Sequence, residues 1–192
     1  MEKIFKKIFS SIKKIKGKDI YAFVFLIKFD ENCRHSIKTE YGIYAQPELV
    51  LLYNLESNCS TKKKTSEEKW NIAYWEEASE VDIIDDESLI SLLDFYNKKG
   101  ITKVGFEDEN TAYNEDMEYV GKGPNGLWEL AELLVNIVDE IRKFDFTDFD
   151  IKKIPFIICD YDYSWYTYYF TKKANQNGQA KYFLKSYKKF FN

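Results

Sequence analysis

The sequence predicts an α/β or α+β fold: one mixed β-sheet with packed helices, preceded by a basic amphipathic N-terminal helix. Three observations predict it. Residues 19–29, Asp-Ile-Tyr-Ala-Phe-Val-Phe-Leu-Ile-Lys-Phe, form a near-continuous apolar run rich in β-formers. Such a run suits a strand buried on both faces. Residues 154–161, Ile-Pro-Phe-Ile-Ile-Cys-Asp-Tyr, form a second such run. Elsewhere, apolar residues recur at the three- and four-residue spacing of a helix. The 192 residues suit a single domain spanning 1–192. Apolar residues at 45% and charged residues at 31% suit a folded core and argue against disorder.

In chain order, residues 2–16 read as a helix. Ile4, Phe5, Ile8, Phe9, Ile12 and Ile15 share one face and lysines fill the other. A basic helix of this kind docks on a sheet or lies on a membrane surface. Docking is preferred, because the rest of the chain is acidic. Gly17 ends the helix. The first strand covers 20–28 and a second is expected over 34–45. Pro47 opens a helix through Glu48–Leu55, unless Leu49–Tyr53 is a strand. The polar segment Ser57–Glu68 reads as a loop. A helix follows with Leu89, Ile90, Leu92, Leu93 and Tyr96 inward, stopped by Gly100. Residues 101–106 suit a strand and 107–118 an acidic loop or hairpin. Asn125 is expected to cap a helix over 127–143. A further interior strand lies at 154–161, with Pro155 near its start. The segment 163–192 is rich in aromatics and lysine, and Asn177-Gly178 marks a turn within it.

Charge is unevenly spread. Residues 1–18 hold seven Lys and one Glu, a net of +6, and the other 174 residues hold 21 bases and 31 acids, a net of −10. That balance disfavours nucleic acid as a partner. Residues 76–118 hold fourteen acids and three bases, net −11. A block of this sign is either a solvated face or a surface for a basic protein.

Three distant cysteines, Cys33, Cys59 and Cys159, include no C-x-x-C pair and suggest reduced thiols in a cytoplasm. His35 is the only histidine, so a His-rich zinc site is excluded. No apolar stretch reaches the roughly 18 residues of a membrane span. Charged Lys28, Asp30 and Glu31 stand where a signal peptide would place its cleavage site. Gly121-Lys-Gly123-Pro-Asn-Gly126 matches G-x-G-x-x-G, but an acidic segment precedes it in place of a strand. It reads as a glycine-rich turn, and no cofactor is expected. Asp160 and Asp162 stand where a strand emerges and are the best candidates for a hidden catalytic pair. Cys33 and His35 fall on one face of the expected second strand.

Four short segments carry a family resemblance: Asp19-Ile-Tyr-Ala-Phe, Thr39-Glu40, Lys69-Trp70-Asn71 with Trp75-Glu76, and Ser186-Tyr-Lys-Lys-Phe-Phe-Asn192. In these the chain resembles the bacterial domain of unknown function family 4303, small cytoplasmic proteins. The resemblance implies an α/β or α+β fold, no enzyme activity, and a role as the immunity partner of a secreted toxin.

The reading that joins these observations is a non-catalytic, cytoplasmic binding protein that neutralises a basic toxin domain through an acidic surface. Asp82, Asp85, Asp86 and Glu87, then Glu107, Asp108, Glu109, Glu115, Asp116 and Glu118, would make the contact. Trp70, Trp75 or Tyr113 would serve as aromatic anchors. The alternatives are a small enzyme using Asp160, Asp162 or His35, and membrane-surface association through helix 2–16. No metal ligands are assigned.

Overall fold

The computed structural model describes residues 2–29, 46–75, 79–107 and 112–191, with the backbone alone at 37–39 and 42–44. Its centre is a four-stranded mixed sheet built from β1 (Ile20–Lys28), β4 (Glu48–Leu55), β5 (Ser79–Asp82) and β6 (Phe156–Cys159). The strand order is β5-β4-β1-β6. β1 pairs antiparallel with β4, β4 antiparallel with β5, and β1 parallel with β6. The short strands β2 (Ile37–Thr39) and β3 (Gly42–Tyr44) pair with each other in a separate two-stranded sheet.

Alternation along β1 explains its unbroken apolar run. Phe23, Phe25 and Ile27 join one core, and Ala22, Val24 and Leu26 join the other. The first core is closed by helices α1 (Glu2–Lys14), α3 (Asp86–Lys98) and α4 (Leu127–Ile141). The second is closed by the short α2 (Glu67–Trp70) and by α6 (Lys181–Phe190). The layers are therefore helix, sheet, helix. Ile4, Ile8 and Ile12 of α1 are fully buried in the first core. At roughly 1.5–3 kcal/mol per buried side chain, they dominate the docking of that helix. Its lysine face adds exposed pairs from Lys3 to Glu87 at 3.2 Å and from Lys7 to Asp85 at 2.6 Å.

Helix α5 (Trp165–Ala174) covers the open edge of β6. Thr171 Oγ1 accepts from Ile158 N at 3.0 Å, and the Asn175 side chain both accepts from Phe156 N and donates to Phe156 O. These side chains supply the bonds that another strand would make, so the edge is not free to pair with a second chain.

Several elements differ from the sequence reading. Residues 48–55 form a strand and not a helix, because Leu49 and Leu51 serve one core and Val50 and Leu52 the other. Of 34–45, the structure describes only the hairpin backbone at 37–39 and 42–44; Cys33 and His35 lie outside the described residues. Residues 101–106 are a turn: Lys103 and Gly105 take φ of 52° and 81°, which breaks an extended run. β6 is an edge strand, although all four of its residues are buried. Ile90 faces solvent at 63% exposure; Leu92 and Tyr96 hold the inner face of α3. Asn125 does not cap α4. Gly126 holds that position with φ of 94°, and Asn125 instead exchanges backbone bonds with Gly105 and Phe106.

Candidate functional site

β1 and β6 run parallel, so their carboxyl ends reach the same edge of the sheet. Chain leaving that edge cannot continue the ladder, which is where open α/β sheets form crevices. A pocket of about 520 Å³ lies there. Lys28 and Phe29 follow β1 into it, and Asp160, Tyr161, Asp162, Ser164 and Tyr166 follow β6. Its far wall is the segment before α4, through Glu107, Tyr113, Tyr119, Gly123 and Pro124.

The carboxylates are held in place. Asp160 accepts from Ser164 N at 2.9 Å, Ser164 Oγ at 2.5 Å and Tyr166 Oη at 2.6 Å. Burial, then the Asp160 charge, pushes the Tyr166 hydroxyl far above the ordinary tyrosine value. It therefore stays a donor. Glu107 accepts from Tyr119 Oη, which in turn accepts from Gly123 N at 2.6 Å. Burial first, then Glu107, raises the Tyr119 hydroxyl as well. Among the described residues Lys28 is the one cation of the lining, 5.4 Å from the Tyr161 ring centre. Burial works against its charge, but Tyr161 and the carboxylates Glu48 and Glu80 outweigh burial and raise its pKa. Among the described residues the pocket thus holds three carboxylates against one ammonium.

The glycine-rich segment shapes this wall. A Cβ at Gly121 would lie 2.8 Å from Tyr119 Oη and 2.9 Å from Glu107 Oε1. Gly123 has φ of 80°, and a Cβ there would meet Leu127 Cδ2 at 2.3 Å. Glycine is needed here for close approach of side chains.

The predicted contact residues are divided. Glu107 and Tyr113 line the pocket, where they meet Asp160 and Asp162, the candidates of the alternative enzyme reading. Glu115, Asp116 and Glu118 are exposed on the adjoining turn, where Asn114 Oδ1 accepts from the amides of Asp116 and Glu118. Asp82, Asp85, Asp86 and Glu87 are not part of its lining. Asp85 caps α3 by accepting from Ser88 N at 2.9 Å and pairs with Lys7, while Glu87 pairs with Lys3. Asp108 and Glu109 lie outside the described residues. Trp70 and Trp75 cannot serve as surface anchors: they are 4% and 7% exposed in the second core. Their indole N–H groups donate to the carbonyls of Lys64 and Lys69.

The aromatic surface lies elsewhere. Tyr113, Tyr119 and Tyr161 line the pocket and are exposed, as are Met117 and Val120 on the same loop as Tyr119. Trp165, 44% exposed, follows directly after Ser164 and lies 5.8 Å from Trp128. Tyr119, Tyr161, Ser164 and Tyr166 were not singled out from sequence. For Tyr161, Ser164 and Tyr166 the available signal was their position just beyond the end of a buried strand.

Among the described residues, no three His, Cys, Asp or Glu side chains are placed to hold a metal ion. No described helix is long and apolar enough to cross a membrane. The chain matches no family model, and no curated protein and no solved structure matches it.

Proposed function

We propose that the protein is a non-catalytic binding module for a basic protein, and that the pocket receives an arginine side chain of that partner. The observation that supports this is the convergence of Glu107, Asp160 and Asp162 on one tyrosine-walled pocket. A guanidinium is planar, donates to carboxylates and stacks on aromatic rings, and is less strongly hydrated than an ammonium. Tyr113, Tyr119 and Tyr161, exposed in the lining, are of a residue type enriched in interface cores. Neutralisation of a basic toxin domain in a bacterial cytoplasm is the specific form of this reading, and it rests on the sequence resemblance.

A small enzyme using Asp160 and Asp162 would draw on the same pocket. Binding is the better reading because three donors already occupy the Asp160 carboxylate, which suits a fixed acceptor. The docked isoleucines of α1 likewise favour a structural role for that helix over membrane attachment.

Calorimetric titration with an arginine-rich peptide at low and at near-physiological salt tests the proposal. We expect saturable binding that salt weakens. A Glu107→Gln/Asp162→Asn variant is expected to bind about tenfold more weakly. Equal affinity of the folded variant and the parent protein would overturn the assignment.

A further inference from the structure

A second cavity, of about 560 Å³, lies at the opposite end of the β1–β6 pair. Asp19, Ile20 and Tyr21 lead into β1 there, and Ile154 and Pro155 lead into β6. Five lysines line it, Lys64, Lys69, Lys152, Lys153 and Lys181, against the carboxylates Asp19 and Glu56.

The accounting of those charges is uneven. Lys69 is buried and pairs with Glu56 at 2.5 Å. Lys152 and Lys153 pair with Asp145 and Asp150 at the outer rim. The Asp19 carboxylate accepts from Ser57 N at 3.0 Å. Lys64 and Lys181 have no carboxylate partner among the described residues. Both ammonium groups gather instead at the Tyr182 ring, 5.1 Å and 4.9 Å from its centre. Two like charges drawn to one ring repel each other, and a shared anion would reverse the sign of that interaction.

A second observation concerns Gln179, on the same wall. Its Nε2 donates to Lys152 O at 3.0 Å, while its Oε1 is shielded from solvent and has no partner. The side chain thus ties its turn to the Lys152 segment, and its shielded oxygen lies out of reach of a molecule in the cavity. The wall itself is fixed. Arg142 donates to the carbonyls of Ile151, Lys152 and Ile154 and to Asn175 Oδ1, which holds the turn that carries Lys152 and Lys153.

We propose that this cleft binds a small phosphate monoester. Lys64 and Lys181 take the phosphate. The size fits, since small-molecule sites commonly span about 300–1,000 Å³. This inference is independent of the acidic pocket and its partner.

Two-dimensional amide NMR of the full chain tests it, with inorganic phosphate, glycerol 3-phosphate and a single-stranded oligonucleotide as probes against sodium chloride of matched ionic strength. The expected result is saturable shifts at Lys64 and Asn177–Tyr182 with both phosphates. Lys64→Gln/Lys181→Gln should weaken both by about tenfold, with spectra elsewhere unchanged. Absence of saturation, or unchanged affinity in the lysine double variant, overturns the site. Oligonucleotide binding much tighter than either phosphate, with shifts at lysines across the surface, overturns the small-molecule assignment.

Discussion

The two ends of the parallel β1–β6 pair differ in charge although the same two strands build both. Glu107, Asp160 and Asp162 meet at the carboxyl end, and Lys64, Lys69, Lys152, Lys153 and Lys181 meet at the amino end. Of these, Glu107 alone belongs to the acidic block at 76–118, and none to the basic start of the chain. The basic start of the chain and part of its acidic middle face one another, through Lys3 with Glu87 and Lys7 with Asp85. The difference teaches that part of the contiguous charge joins α1 to α3, through two ion pairs. The charge left open comes from residues scattered along the chain and gathered by the sheet.

The strongest way to break the comparison is Asn175→Ala. Asn175 bonds both the N–H and the carbonyl of Phe156 and receives Arg142. Its loss orphans buried groups at the strand that both ends share, and we predict destabilisation of about 3 kcal/mol or more by chemical denaturation. Both sites should weaken together. Loss of one alone would show that the ends are supported separately.

A smaller effect should separate the ends. Asp162→Asn is predicted to reduce arginine-peptide affinity by about three- to tenfold and to leave phosphate affinity unchanged, as read by calorimetry.

Acid should loosen the α1–α3 junction next. Lys7, together with the Ser88 amide, holds Asp85 well below the ordinary carboxylate range. A depressed carboxyl stabilises the fold above its unfolded pKa of about 4, and that stability is lost as pH falls towards the folded value. The pair is half exposed, so solvent screening limits the effect to about 1 kcal/mol. Lys7→Met should flatten the decline in stability below about pH 4 in denaturation at stepped pH. The smallest effect is expected at Ile90, where exchange for Ser should change stability by less than about 0.5 kcal/mol, because the side chain is exposed.

Much of the architecture was legible because burial imposes a period. The run at 20–28, the helix over 127–141 and the isoleucines of α1 each carry one signal. Residues 48–55 were ambiguous since a strand covered on both faces has no polar alternation to distinguish it from a buried helix. Residues 101–106 misled because positive φ at Lys103, a residue that rarely adopts it, has no sequence mark. Asp160 and Asp162 were legible from their place after a buried strand. Tyr119 was not, since its partnership with Glu107 depends on the close approach that Gly121 permits. Trp70 and Trp75 read as anchors because composition cannot tell an exposed indole from one whose N–H is satisfied inside a core.

The most direct measurement is a sequential titration of one isotopically labelled sample, first with N-acetylarginine amide and then with inorganic phosphate, followed by amide shifts. The account predicts two separate sets, one at Lys28–Phe29, Tyr119–Gly123 and Asp160–Tyr166, the other at Lys64 and Asn177–Tyr182. Phosphate should not displace the arginine probe. Arginine shifts centred on Asp82–Glu87, or a single set shared by both probes, would contradict it.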